Sequence, residues 1–380
     1  MIKVLFIISG LRTGGAEMML HQILSRINRS KFQPSVISLG DRGTFGDRIE
    51  ALDIPVETLN FKLGLSAPLG PYSLVKLIQK IKPDLIQGWM YHGNLASQMY
   101  NFVDKNIPII LGIHNTIYSI NNTKKLTAGV IKLSGYLSYR SRFTIFVSQV
   151  SKSQHQELGY SDKNAVVVPN GVDIFKFKPD PNARISVRSE LGISERCIII
   201  GKIARFHPQK DHKNFLEAAK LLCEQYQNVR FLLCGTGVNS ENTALQELVD
   251  RLGLSKKVSL LGERADIARL IAALDIATLS SAYGEAFPLV VAEAMAGGVP
   301  CAVTDVGDCG WIVGNTGRVV EPRQPQALAD AWNNLINLPV LERKSLGQAG
   351  RERVQKLFSL ESVVKQYESL YEKVLGYSKK

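Results

Sequence analysis

The sequence predicts an α/β protein of two domains, each an open, mainly parallel sheet wrapped by helices. Three observations carry that expectation. Short runs of consecutive apolar, largely β-branched residues alternate with amphipathic stretches, and strands covered on both faces read as such runs rather than as polar–apolar alternation. The alternation is interrupted at residues 173–186, "DIFKFKPDPNARIS", by two prolines, several charges and little periodicity, and then starts again. A length of 380 residues also exceeds one domain of ordinary size.

Each element follows in order. "KVLFIIS" (3–9) reads as a first strand, followed by the loop "GLRTGGAE" and a helix from about Glu17 to Asn28. "PSVISLG" (34–40) is a second strand. "LVKLIQKIKPDLIQGW" (74–89) is a helix broken at Pro83 and then a strand. "IPIILGIHN" (107–115), "FTIFVSQ" (143–149) and "AVVVPNGVD" (165–173) complete the first series. The second series opens with "CIIIGKIAR" (197–205), the helix "NFLEAAKLLCEQY" (214–226) and "VRFLLCG" (229–235). It continues through "VSLLG", "IATLSS" and "VPCAVTD" as strands with helices between. The tail from Leu360, "LESVVKQYESLYEKVLGYSKK", reads as a helix with a basic, frayed end. Two Rossmann-like domains are expected, at residues 1–176 and 177–358, with a terminal helix over 359–380.

Composition narrows the function. Hydrophobic residues at 45% and charged residues at 21% describe an ordinary globular chain. No run of about 18 uncharged apolar residues is present, so no membrane-spanning helix is expected. The N-terminus reads as a strand rather than a signal peptide. Five scattered cysteines without a CxxC pair suit reduced, mostly buried thiols and a cytoplasmic setting. The net charge is +12, and residues 1–176 hold +9 of it, with 20 Lys and Arg against 11 Asp and Glu. Such a balance suits nucleic acid, an anionic membrane or an acidic substrate. With no zinc-finger spacing, RNP-like aromatic pattern or long basic run, nucleic acid is not expected as a partner.

In open α/β sheets ligands bind beyond the carboxyl ends of the strands, so the chemistry is sought there. Gly14 and Gly15 would allow close approach of a ligand, and the following helix N-terminus favours a phosphate. The spacing is not G-x-G-x-x-G, although Asp41 could mimic the ribose acid of a dinucleotide site; a plain glycine turn is the bland alternative. His114 ends a strand and suits either an ordinary loop position or an acid, base or hydrogen-bonding role. Arg205 and Lys210, in "ARFHPQKD", suit a diphosphate, one as a fork and one as a point charge, unless they are two surface cations. In "SSAYGEAFPLVVAEAMAGGVP" (280–300), Glu285 lies in a loop, Pro288 suits a helix start, and Glu293 lies about one and a half turns into a short helix ended by Gly297 or Gly298. The free amides near Leu289 and Val290 favour an anion between two carboxylates, a layout that matches ribose, diphosphate and hexose.

These residues resemble a known family. Glu285 and Glu293 with seven residues between them look like the E-x(7)-E signature of the retaining glycosyltransferases of family four, which have the GT-B fold. "SGLRTGGAE", "GIHN", "VVPNGVD", "GKIARFHPQKD" and "VSLLGERADI" resemble that family's other motifs, in order, along nearly the whole chain. The resemblance implies two domains facing each other across a deep cleft, the terminal helix crossing back to the first. It implies that Glu293 binds the donor ribose and that Glu285 holds sugar hydroxyls near the anomeric carbon. Arg205 and Lys210 would stabilise the leaving diphosphate, assisted by the amides after Pro288 and those at Gly14 and Gly15, and His114 would touch the donor sugar or the reacting centre. Leu261 and Gly262 would meet the base, with uridine the family expectation, and Phe287, Leu289 and Val290 would line the donor. Asp211, where the family often has glycine, and Pro288, which removes an amide, depart from the pattern and blur the donor.

The expected reaction is transfer of a hexose from a UDP-sugar to a glycan or a polyprenyl- or lipid-linked acceptor. No D-x-D occurs, so no metal and no cofactor is expected. A nucleotide-sugar epimerase or phosphorylase on the same fold, or a non-catalytic sugar-binding protein, are the alternatives. Residues 118–142 carry Lys124, Lys125, Lys132, Arg140 and Arg142 and no acid. Leu126, Val130, Leu133 and Leu137 recur at helical spacing, with Tyr118, Tyr136 and Tyr139 nearby. That pattern suits peripheral contact with an anionic membrane on its inner face, unless the stripe packs inward and the lysines are solvated.

Overall fold

The strand β1 (Ile2–Ile8) is wholly buried from Val4 to Ile8 and lies in the interior of the first sheet. The structure is a computed structural model that describes residues 1–61, 70–117, 120 and 123–376. The chain divides into two compact units, residues Met1–Gly171 together with Leu360–Lys380, and residues Val172–Ser359.

In the first unit β1 is joined by β2 (Phe32–Ser38), β3 (Val56–Thr58), β4 (Leu85–Trp89), β5 (Ile109–Ile113), β6 (Phe143–Phe146) and β7 (Ala165–Val167). All are parallel, in the order β3-β2-β1-β4-β5-β6-β7. The helices are α1 (Gly15–Leu24), α2 (Gly43–Glu50), α3 (Gly70–Ile81), α4 (Met90–Tyr100), α5 (Lys125–Leu137) and α6 (Gln149–Glu157). The second unit holds α7 (Pro181–Glu190), α8 (His212–Gln225), α9 (Thr243–Arg251), α10 (Ile267–Ala273), α11 (Leu289–Ala296), α12 (Cys309–Val313), α13 (Pro325–Ile336) and α14 (Val340–Leu357). Its strands are β8 (Ile198–Ile203), β9 (Val229–Cys234), β10 (Val258–Leu260), β11 (Ile276–Leu279), β12 (Cys301–Thr304) and β13 (Gly317–Val320), in the order β10-β9-β8-β11-β12-β13.

The apolar runs have a direct cause in this unit. Adjacent residues of β8 point to opposite faces, Ile199 into a core with Val291 and Val303, Ile200 into one with Phe231 and Trp332. With both faces covered, no position of the strand is left for a solvated side chain, and the pattern becomes continuous.

The order of each sheet reverses once, between β1 and β4 in the first unit and between β8 and β11 in the second. Successive connections leave such a point in opposite directions and open a crevice at the carboxyl ends of the two central strands. The glycine loop and Trp89 lie at the first switch point; the Arg205–Lys210 and Ser280–Glu285 loops lie at the second.

Two expectations are corrected. The helix after the first strand starts at Gly15 and ends at Leu24, so the two glycines sit at its very N-terminus. The stretch over 173–186 is not all irregular: Asp180 accepts the Ala183 N–H at 2.9 Å and Pro181 opens α7, because a capping acid followed by proline starts a helix. The final helix, α15 (Leu360–Val374), belongs to the first unit. Glu368 accepts the Asn28 N–H at 2.7 Å, Glu372 pairs with Lys31 at 2.7 Å, and the Tyr371 ring packs edge-on against Phe6 and Phe32. The basic end over 377–380 lies outside the described residues. Among the described residues no helix is long and apolar enough to cross a membrane, and all five cysteines are unpaired, four of them buried.

Candidate functional site

The second switch point carries most of the charged chemistry. The loop after β8 exposes Arg205, whose guanidinium has no partner among the described residues, and ends in a single 3-10 turn, Pro208–Lys210. Lys210 Nζ meets Glu285 Oε1 at 2.5 Å, and Ser281 Oγ donates to the same oxygen at 2.5 Å. Glu285 is therefore not a carboxylate pointing freely into solvent; it is nearly buried and held by a cation and a hydroxyl. The two loops are stitched further by Gln209, whose carbonyl accepts the Ala282 N–H at 2.8 Å and whose side-chain amide donates to Gly284 O at 2.8 Å. Gly307 has no room for a Cβ, because the Glu285 carbonyl oxygen would lie 2.2 Å from it. The Glu285 loop is thus fixed from both sides.

Asp211 explains its own departure from the family pattern. Its φ is +45°, in the left-handed region where glycine is at ease and where Asp is one of the few tolerated side chains. Its carboxylate accepts the Asn214 N–H at 3.1 Å and caps α8, which a glycine could not do. Pro288 is likewise outside the helix, at the N-cap of α11, so the amide it lacks is not one of the first-turn amides of Leu289 and Val290.

Glu293 lies on α11, partly open. Its carboxyl accepts no hydrogen bond from the described residues, and burial pushes its pKa up to about 7, opposed by the charge of Lys176. An unpaired carboxyl in such surroundings is suited to accept hydroxyl hydrogen bonds. Two donor-site expectations are altered. The Phe287 side chain turns into the core, 5.3 Å from Phe358 and 6.1 Å from Trp311 between ring centroids, because an apolar ring at this loop end gains more from the aromatic cluster than from solvent. The Leu261 and Gly262 N–H groups are spent on Leu233 O and Val238 O, and the Gly262 carbonyl on Gly235, since the φ of +65° at Gly262 folds this turn onto its own domain. The Leu261 carbonyl is outside that set.

In the first unit, Gly14 is the N-cap of α1. A Cβ there would strike the Glu17 carboxylate at 2.3 Å, whereas one on Gly15 would meet open space. Glu17 already places a negative charge at this helix start, so only the Gly15 side is open to an anion. Asp41 pairs with Arg12 at 2.6 Å and is not a free ribose acid. His114 is buried, and burial drives its pKa down to about 3, partly offset by the Asn170 amide. It is neutral at physiological pH and cannot serve as a general acid there, and neither ring nitrogen, both of them buried, has a well-formed hydrogen bond. Gly112 makes room for the ring: a Cβ there would lie 3.2 Å from His114 Nε2.

Trp89 was not singled out by the sequence and organises this end. Its indole stacks on His114 at 4.0 Å, and its N–H donates to Ala16 O at 3.0 Å, tying the histidine to the glycine turn. Met90, next to it, has a φ of +65°, strained for a methionine. The signal available was a large aromatic ending a strand beside a proposed site.

The α5 stripe divides. Ile131, Ser134, Gly135 and Leu137 are buried, because small residues let α5 approach α4, where Gln98 and Ser134 exchange hydrogen bonds. Leu126 and Leu133 face outward with Tyr136 and Tyr139, and Met99 near the end of α4 and Phe102 in the turn after it are also exposed. Arg140 lies over the Phe102 ring at 4.4 Å. Tyr118 lies outside the described residues.

Residues 13–175 match Glycosyltransferase Family 4, and residues 184–353 match Glycosyl transferases group 1. N-acetyl-alpha-D-glucosaminyl L-malate synthase of Bacillus anthracis is 31% identical over 74% of this chain and 71% of its own. The chain belongs to glycosyltransferase family 4. The UDP-Gal:alpha-D-GlcNAc-diphosphoundecaprenol alpha-1,3-galactosyltransferase of Escherichia coli is 32% identical, over 42% of this chain and 41% of its own. HepE of Anabaena, solved with UDP, superposes with a TM-score of 0.85 at 25% identity, covering 98% of this chain and all of that one. The fold is GT-B, as these likenesses and that to a sucrose-phosphate synthase of Thermosynechococcus elongatus (TM-score 0.76, 19% identity, covering 100% of both chains) establish. Among the described residues of this glycosyltransferase, no three His, Cys, Asp or Glu side chains cluster as metal ligands.

Proposed function

We propose that this glycosyltransferase moves a hexose from a UDP-sugar to a glycan or polyprenyl-linked acceptor with retention of anomeric configuration and without a metal or other cofactor. The observation that carries the reading is the Arg205–Lys210–Glu285 assembly at the β8/β11 switch point, beside the free amides of α11 and the unpaired carboxyl of Glu293. Arg205 and Lys210 supply the positive charge that a leaving diphosphate needs, in a site where fixed charges act without solvent reorganisation. An arriving donor competes for both halves of the Lys210–Glu285 pair: its phosphates take the ammonium and its sugar hydroxyls take the carboxylate. Neutral His114 contributes as a hydrogen-bonding group, and the open Gly15 amide face is the second place for an anion.

HepE was solved with UDP and also with UDP-glucose, which supports uridine as the base. The galactosyltransferase relative acts on a diphosphoundecaprenol-linked acceptor, which supports a lipid-linked one here. The outward face of α5, with Leu126, Leu133, Tyr136 and Tyr139 among Lys124, Lys125 and Lys132, supports peripheral binding to an anionic cytoplasmic membrane face.

The test is consumption of a panel of UDP-sugars with soluble and lipid-linked acceptors, in EDTA, with the product linkage read by NMR. Retention without metal is expected; an inverted linkage or strict Mn dependence overturns the mechanism. Co-sedimentation with vesicles containing anionic lipid should fall with salt and with Lys124, Lys125 and Lys132 changed to Gln. A protein left in the supernatant at low salt removes the membrane reading.

A further inference from the structure

Lys202 has no role in the chemistry assigned to Arg205, Lys210 and Glu285, yet it is a tightly held cation of the second unit. It lies on β8, one of the two strands at the switch point, and is completely buried. A lysine in such a place gives up its hydration and must recover it from the protein. It does so with two short bonds: Nζ donates to the Lys210 carbonyl oxygen at 2.6 Å and to Ser280 Oγ at 2.6 Å. The ring of Phe215 lies 5.8 Å from the ammonium. Ser280 in turn donates towards the Asp211 carbonyl oxygen at 3.0 Å. The ammonium and the hydroxyl together hold the carbonyls of the two residues at which the chain turns through its left-handed conformation. That turn aims the Lys210 side chain at Glu285.

We propose that Lys202 is a positioning residue for diphosphate binding: its buried ammonium clamps the Lys210–Asp211 turn from below and adds a fixed positive charge beneath the Arg205–Lys210 loop. The proposal rests on the donor reading above. A methionine would fill the same space without the cost of a buried ion, so stability alone gives no reason for a lysine here. The groups that face the ammonium are Lys210 and Asp211 from the loop, His212 from α8 and Glu285 from the loop after β11. Burial and the neighbouring Lys210 push the Lys202 pKa down to about 7, against the pull of Asp211 and Glu285. His212 is itself held neutral, its pKa brought down to about 3 by burial and by the charge of Lys202. The ammonium therefore loses its proton as pH rises through neutrality, and the clamp weakens on the alkaline side.

The experiment compares wild type, Lys202→Met, Ser280→Ala and Arg205→Ala in the full chain. The readouts are UDP binding by calorimetry, kcat and KM for UDP-sugar consumption across pH, and the melting temperature. Lys202→Met should weaken UDP binding and lower kcat/KM by about tenfold, the size of a lost charged hydrogen bond, with no fall in melting temperature. The alkaline limb of kcat/KM near pH 7, which reports the free enzyme, should vanish. Ser280→Ala, which keeps the lysine and removes one of its two acceptors, should weaken UDP binding by about threefold. A folded Lys202→Met protein with kcat/KM within twofold of wild type and the limb intact overturns the proposal. Should that variant fail to fold, wild-type UDP binding and pH profile in Ser280→Ala overturn it. If wild type binds no UDP, the donor reading falls and this inference with it. If wild type binds UDP, Arg205→Ala does not, and Lys202→Met is unchanged, only this inference falls.

Discussion

The two switch points solve the same geometric problem with opposite chemistry. At β8/β11 the loops carry an exposed Arg205 beside Lys210, Glu285 and Ser281, the last three already joined by short polar contacts before any ligand arrives. At β1/β4 the corresponding end is a glycine turn, a stacked Trp89–His114 pair and a neutral imidazole without a well-formed hydrogen bond. One end is built to hold charge in place, the other to hold shape and offer weak, neutral hydrogen bonds. The same sheet topology thus supplies a place to bind but not the chemistry of binding, which comes from the few residues that follow each strand.

Removing the charge at the second switch point should have the largest effect. Arg205→Ala or Lys210→Ala is expected to lower turnover by about 10²–10³-fold, the loss seen when one charge-stabilising donor is removed. UDP binding should weaken in parallel. His114→Ala should cost less, because a neutral hydrogen bond is worth about 1 kcal/mol. Steady-state kinetics on the three variants checks the order. A His114 variant worse than both cation variants would reverse the comparison.

Much of this contrast is legible in the sequence, and the illegible part has a physical reason. The strands are legible because both sheet faces are covered, which makes the apolar runs continuous. The site loops are legible because glycine, proline and paired charges interrupt those runs. Lys202 was hidden in plain view, a lone charge in "CIIIGKIA", since one strand residue gives no hint of which carbonyls it will meet. Phe287 misled because adjacency to Glu285 in sequence says nothing about which way a loop side chain turns. The α5 stripe misled because period alone does not say which of two apolar edges packs; the small residues Ser134 and Gly135 decide it.

The next difference is in response to acid. In the first unit, burial drives the His114 pKa down to about 3 and that of His155 down to about 4. The unfolded chain takes up these protons near pH 6.5 and the folded chain does not, so stability is full above about 6.5 and is lost as pH falls towards 4. Each histidine contributes up to about 1.4 kcal/mol per pH unit across that window. In the second unit His212 acts in the same direction, but Glu293, pushed up to about 7, acts in the opposite one between its ordinary range and 7. Hydrogen exchange read peptide by peptide should show protection in the first unit falling first as pH drops from 6.5 to 5. Equal loss in both units would remove this distinction.

A smaller effect should follow Trp89→Phe. The ring still stacks on His114, but the indole N–H to Ala16 O is gone and leaves a carbonyl short of a partner, costing about 1 kcal/mol. Turnover should fall severalfold, about what 1 kcal/mol corresponds to, with UDP binding unaffected. Lost UDP affinity in this variant would mean that the first switch point contributes charge as well as shape.

The smallest single effect, that of Asp211→Asn, belongs to a series that tests the turn Lys210 depends on. Asp211 does two things, tolerating a φ of +45° and capping α8 with its carboxylate. Asn keeps both, so Asp211→Asn should be close to neutral. Glycine keeps the backbone conformation and serves as an N-cap of only modest quality, so Asp211→Gly should lose at most about 1 kcal/mol. Alanine keeps neither and should lose about 2 kcal/mol, roughly 1 for the cap and 1 for the left-handed strain. The order Asn, Gly, Ala is the prediction, read as thermal midpoints of the three variants. Because the same turn aims Lys210 at Glu285, turnover should follow the same order. Alanine no worse than glycine would show that the left-handed conformation at 211 is not what holds the loop, and that the second switch point keeps its charge in place through its side-chain contacts.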